Sequence, residues 1–187
     1  MQKIFYHTKS LFSDFLNFIK YPGKPHYPDI SVLQKLLNVG VCFVLIGFVI
    51  NFLLWYGVVV PAEKTGWFYN PLIETRRGIS TKTIISAVLI APVIEELIFR
   101  LFLVNYKTES YFRWVYYLSA LVFGLIHIIT YEADSTHYWF IWLITLPQIF
   151  AGFLLGYIRI VYGFWYGVLL HSLSNALVLV WEHFVGF

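Results

Sequence analysis

The stretch Ala91-Pro92-Val93-Ile94-Glu95-Glu96-Leu97-Ile98-Phe99-Arg100 places three ionisable side chains in a run otherwise apolar enough to cross a bilayer. On an insertion scale each charge at the centre of a membrane helix costs roughly 2.5 to 3.5 kcal/mol, so three unpaired ones approach about 10 kcal/mol, comparable with the stability of a whole domain. Such a helix persists only where neighbouring helices supply partners. Those partners must come from elsewhere in the chain.

The rest of the chain is apolar too. Of 187 residues, 59% are hydrophobic, 21% aromatic and only 12% charged, and the mean hydropathy is +0.72; a soluble domain carries about 25% charged residues. The expected fold is therefore an all-α, polytopic membrane helix bundle whose partner is the lipid bilayer. The length suits a single membrane domain over 1–187, with no room for a separate soluble one. The net charge of +3 is small and no run of basic residues could track phosphates, so nucleic acid is not a partner. Cys42 is the only cysteine; it can form no internal disulfide and no cysteine-based zinc or iron–sulfur site, and reads as a small buried hydrophobe.

Residues 1–36 read as an interfacial helix and a linker. Lys3, Lys9 and Asp14 interrupt any signal-like run, while Ile4, Phe5, Thr8, Leu11, Phe12, Phe15, Leu16 and Ile19 follow a helical repeat, as in an amphipathic helix lying in the membrane interface. A helix that binds a partner protein is the alternative. Pro22, Gly23 and Pro25 then break the helix. About five crossings are expected: 37–60, ended by Pro61; 81–105, carrying the charges; 112–130; 138–158, kinked at Pro147; and 161–184. With the amino terminus inside, the inner segments hold Lys3, Lys9, Lys20, Lys24, Lys35, Lys107, Arg113 and Arg159, against Lys64, Arg76, Arg77 and Lys82 outside. The excess predicts a cytoplasmic amino terminus. The basic residues of the 61–80 loop leave open a course along the inner face or a re-entrant one.

Few other strongly polar side chains fall within these spans. They are chiefly His127 in the third and His171 with Asn175 in the fifth, besides Asn51 and Gln148. Glu96 and Arg100 are four apart and can neutralise each other on one helix face, which reads as structural support. Glu95 points about 100° away and is left to face something else. His171 and Asn175 share a face, and Phe123 with His127 repeats the spacing. Ser172 and Ser174 read as packing hydroxyls. A carboxylate, two imidazoles and a carboxamide on three helices, each penalised by lipid, satisfy one another only at a common site. A desolvated carboxylate is a stronger base than one in water, and can take a proton from a water that an imidazole also holds. An imidazole N–H and an amide N–H can stabilise the oxyanion formed by attack on a peptide carbonyl. Glu95, His127 and His171 could equally hold a divalent metal such as zinc. The residues leave both chemistries open, although Glu-Glu-x-x-x-Arg is not the His-Glu-x-x-His helix of zinc proteases.

Glu95-Glu96-Leu97-Ile98-Phe99-Arg100, then Phe123-Gly124-Leu125-Ile126-His127, then His171-Ser172-Leu173-Ser174-Asn175 resemble three family signatures in order and in internal spacing. The family is that of the CaaX prenyl endopeptidases and bacteriocin-processing intramembrane proteases, known in bacteria as Abi proteins. The likeness covers about residues 81–185, which would be the catalytic core. The resemblance implies an all-helical fold with the site enclosed between helices, a peptide or protein substrate, and a bacterial cell membrane. It implies that Glu95 activates water with the help of His127, that His171 and Asn175 stabilise the oxyanion, and that Glu96 and Arg100 support them, with hydrolysis through glutamate alone favoured over a bound divalent metal. This chain departs from the family in being short, with few crossings before the first signature, and nothing in it points to a prenyl group. A non-enzymatic bacteriocin immunity or membrane-partner protein retaining the protease fold is the alternative. A proton-coupled transporter would use intramembrane Glu and His as well, but the chain has no repeated halves.

Overall fold

Wherever the sequence runs apolar for some twenty residues, the backbone satisfies its own hydrogen bonds as helix, since lipid offers none. The computed structural model describes residues 2–23, 27, 29–69, 80–133 and 137–185. Its helices are α1 (Gln2–Lys20), α2 (Val32–Lys64), α3 (81–99), α4 (Leu103–Tyr106), α5 (Phe112–Thr130), α6 (Tyr138–Val161) and α7 (Phe164–Val185). Two-residue strands β1 (Phe68–Tyr69) and β2 (Glu132–Ala133) pair antiparallel and tie the segment after α2 to the segment after α5.

Among the described residues, four helices are long and apolar enough to cross a membrane: α2, α5, α6 and Phe164–Trp181 of α7. The fifth expected crossing is α3, similar in length but carrying Lys82, Glu95 and Glu96. The outward faces need hydrocarbon around them. Ile129 and Trp139 are each 83% exposed and Trp165 71%, apolar surface that water would not tolerate on this scale.

Prolines sit at changes of helix type. Pro61 does not end α2: a π-helical turn over Trp55–Val59 precedes it, and the helix continues to Lys64. In that turn the hydrogen bonds run one residue further back, so a missing N–H falls where the ladder is already shifted. Pro147 lies at the junction of a 3₁₀ stretch, Tyr138–Thr145, with the α-helix Leu146–Val161, so the expected interruption is a change of winding. The 61–80 loop lies partly outside the described residues.

Helix α1 is amphipathic as expected, and its apolar stripe faces protein. Leu11, Phe15 and Phe18 are buried, whereas Leu16, which the repeat placed on the stripe, is 47% exposed. Phe15 meets Phe150 edge-on at 5.8 Å, Phe18 meets Tyr116 and Tyr157, and the Tyr117 hydroxyl donates to the Ile19 carbonyl at 2.7 Å. Helices α5 and α6 pack closely enough for main chains to touch, because glycines face the seam. A Cβ on Gly152 would lie 2.7 Å from the Ala120 carbonyl oxygen, and one on Gly124 2.7 Å from the Ile149 backbone. Gly163, at φ 107°, turns the chain from α6 straight into α7.

Candidate functional site

The acidic pair is fixed by the way α3 ends. The main chain leaves the helix at Arg100, with φ −127°. The freed carbonyls are then met from outside. Ser119 of α5 donates to the Phe99 carbonyl at 2.6 Å, and Arg159 of α6 donates to the carbonyls of Arg100 and Leu101, each at 3.3 Å. A cation at a helix carboxyl end also suits the helix dipole. In the sequence Arg159 reads only as a topogenic charge, and nothing marks Ser119 as part of the site. The signal for both is the need of a buried helix end for donors, and it carries no sequence spacing.

Glu96 and Arg100, both wholly buried, face each other at 3.4 Å as the i, i+4 spacing requires. The Arg100 guanidinium also lies over the Phe123 ring, 3.6 Å from its centroid. Phe123 is the hub of the site. Its ring meets the rings of His127 at 5.1 Å and His171 at 5.8 Å, both edge-to-face. Gly167 lets α7 approach: a Cβ there would lie 3.1 Å from Glu96 Oε2.

His171, nearly buried, reaches both carboxylates. Nδ1 is 3.3 Å from Glu96 Oε1, and Nε2 is 3.6 Å from Glu95 Oε2. Glu96 is therefore held by more than the arginine expected from its spacing. Glu95 keeps 28% of its side chain accessible, so it is the more exposed of the two carboxylates. His127, half-buried, turns Nδ1 to the Phe123 carbonyl at 2.8 Å. A carbonyl only accepts, so Nδ1 carries the hydrogen and Nε2 is left as an acceptor.

Asn175 donates through Nδ2 to the Ala87 carbonyl at 2.8 Å. The vacancy it fills follows from the sequence of α3. A π-helical turn over Ser86–Ile90 hands on to the α-helix at Ala91, whose N–H bonds back to Ser86. The next acceptor in that register is Ala87, and the next donor would be Pro92, which has no N–H. One carboxamide N–H thus anchors Asn175 and the other remains to donate elsewhere.

The structure brings Glu95, Glu96, Arg100 and His171 into direct contact and attaches His127 through Phe123. Asn175 lies one helical turn beyond His171, against the main chain of α3. Glu95, His127 and His171 are donor types that a divalent metal takes, but among the described residues no group of three or more His, Cys, Asp or Glu side chains is gathered closely enough to hold one. As arranged, the site gathers a partly accessible carboxylate, two imidazoles and a carboxamide with one N–H to spare.

The model of the type II CAAX prenyl endopeptidase Rce1-like family matches residues 78–177. No curated protein and no solved structure matches the chain. The matched region begins just before α3, takes in the whole of α5 and α6, and ends two residues beyond Asn175. It spans more than half of the chain, and this integral membrane protein accordingly belongs to the type II CAAX prenyl endopeptidase Rce1-like family of proteases.

Proposed function

We propose that this protein is an intramembrane endopeptidase that hydrolyses a peptide bond of a membrane-associated or hydrophobic peptide with water activated by Glu95. The observation that carries the reading is Glu95 itself, a partly accessible carboxylate within an apolar bundle, with the His171 Nε2 3.6 Å from its Oε2.

Water bound between Glu95 and His127 Nε2 gives up a proton to Glu95 as its oxygen bonds to the carbonyl carbon. The carbonyl π electrons move to oxygen, and the proton is shared between Glu95 and His171 Nε2. The Nε2–H formed as His171 takes up this proton and the free amide N–H of Asn175 then donate to the oxyanion. Collapse re-forms the carbonyl and breaks the C–N bond, and the shared proton passes to the departing amine. The products are one carboxyl and one amino terminus.

The test is turnover of a peptide library by the purified protein in detergent. Glu95→Gln is expected to cost about 10²- to 10⁴-fold in kcat, in the range of general-base removal. Asn175→Ala should cost about 10²- to 10³-fold, the range for one oxyanion donor. His127→Ala and His171→Ala should also fall well below the parent. Cleavage at parental rates by all four variants would sink the proposal.

A further inference from the structure

His171 is the side chain that touches both carboxylates, and its two contacts differ in kind. Glu95 is partly accessible, whereas Glu96 is wholly buried. Glu96 shares Oε1 between His171 Nδ1 at 3.3 Å and Arg100 Nη1 at 3.4 Å, and its Oε2 lies beside Gly167, where an added Cβ would come within 3.1 Å of it. Of the two His171 contacts only the one to Glu96 lies within hydrogen-bonding distance, and because a carboxylate oxygen only accepts, Nδ1 is the ring nitrogen that carries the hydrogen. The other nitrogen, Nε2, is the one turned to Glu95.

We propose that Glu96 is a positioning residue for His171: it holds the ring with Nδ1–H turned to itself and Nε2 turned to Glu95, and Arg100 holds Glu96 in place to do so. The inference rests on the peptidase reading of Glu95 and His171 given above. Glu96 touches no substrate and acts through the imidazole, as the carboxylate behind the histidine does in serine-protease triads. It goes beyond the Glu96–Arg100 pair as simple charge neutralisation. A buried ion pair serving only the fold can be exchanged for apolar side chains of similar volume at little cost.

That exchange is the experiment. Glu96→Met with Arg100→Met removes both buried charges together and also removes the acceptor for His171 Nδ1–H. Glu96→Gln with Arg100→Met removes both charges but keeps a carbonyl oxygen at that place. We expect both double variants to fold, the first to lose about 10²- to 10⁴-fold in kcat with KM little changed, and the second to recover much of that loss. Nitrogen NMR of ¹⁵N-histidine-labelled protein in micelles, at one pH, should show the His171 ring protonated on Nδ1 in the parent and in the Gln variant. In the Met/Met variant that preference should be lost.

Parental turnover by the Met/Met variant, or a parental His171 ring protonated on Nε2 alone, would overturn the proposal. The second readout needs neither activity nor folding of a variant. Failure of the peptidase reading looks different: Glu95→Gln would cleave like the parent, whatever the ring shows.

Discussion

Arg100 carries five N–H donors into a wholly buried place. Among the described residues its Nε, Nη1 and Nη2 find no hydrogen-bond partner, leaving the Glu96 carboxylate at 3.4 Å and the face of Phe123 at 3.6 Å to compensate the charge. Removing one partner of such a pair costs more than removing both. Arg100→Met alone leaves Glu96 buried without a counter-charge and should lower stability by about 3 to 5 kcal/mol, whereas the Glu96/Arg100 double Met variant should melt closer to the parent. Thermal unfolding in a fixed detergent checks the order, and equal melting of the two would contradict it. Phe123→Leu keeps an apolar side chain but loses the ring face. It should cost about 2 kcal/mol from the cation–π contact and also loosen both imidazoles, so kcat should fall further than that stability loss alone implies.

Two features of whole helices are testable apart from any catalytic side chain. Pro92→Ala returns an N–H to the position that leaves the Ala87 carbonyl open, so Asn175 gains a competitor for its anchor. We expect α3 to remain as stable as before while kcat falls, by less than in Asn175→Ala. A variant with parental kcat would show that the proline does not matter to Asn175. The α5–α6 seam is the other feature. Gly152→Val puts a branched side chain where a single Cβ already comes within 2.7 Å of the Ala120 carbonyl oxygen. The helices must separate, at about 1 to 3 kcal/mol or more, read as a lower melting temperature. Because α5 carries His127 and α6 carries Arg159, activity should fall with it.

At the level of the molecule, α1 belongs to the bundle and is not a free amphipathic appendage. Phe15→Ala should destabilise the protein by about 3 to 5 kcal/mol, and deletion of residues 2–20 should uncover the aromatic surface of Tyr116, Phe150 and Tyr157 and abolish detergent stability. A deletion that left the melting temperature unchanged would restore the partner-binding reading of this helix. Protection of cells from a bacteriocin by the intact Glu95→Gln protein would favour the immunity reading over the peptidase. The distribution of lysine and arginine still predicts a cytoplasmic amino terminus, which a fused reporter enzyme active only in the cytoplasm would check. The sequence by itself determined what depends on neighbours in the chain. It set the helices, through uninterrupted apolar runs in a solvent without hydrogen-bond partners. It also set the i, i+4 pairs Glu96–Arg100 and His171–Asn175, through the helical repeat. It could not tell that α1 would turn Leu11, Phe15 and Phe18 to protein, since the repeat that put Leu16 on the apolar stripe fits the membrane interface as well. It could not tell that His171 would reach Glu96 as well as Glu95, or that Ser119 and Arg159 would hold the end of α3. Those outcomes were decided by how closely and at what angle the helices meet, which glycines at 124, 152 and 167 permit. No local pattern records that approach, because it arises from packing between segments far apart in the chain.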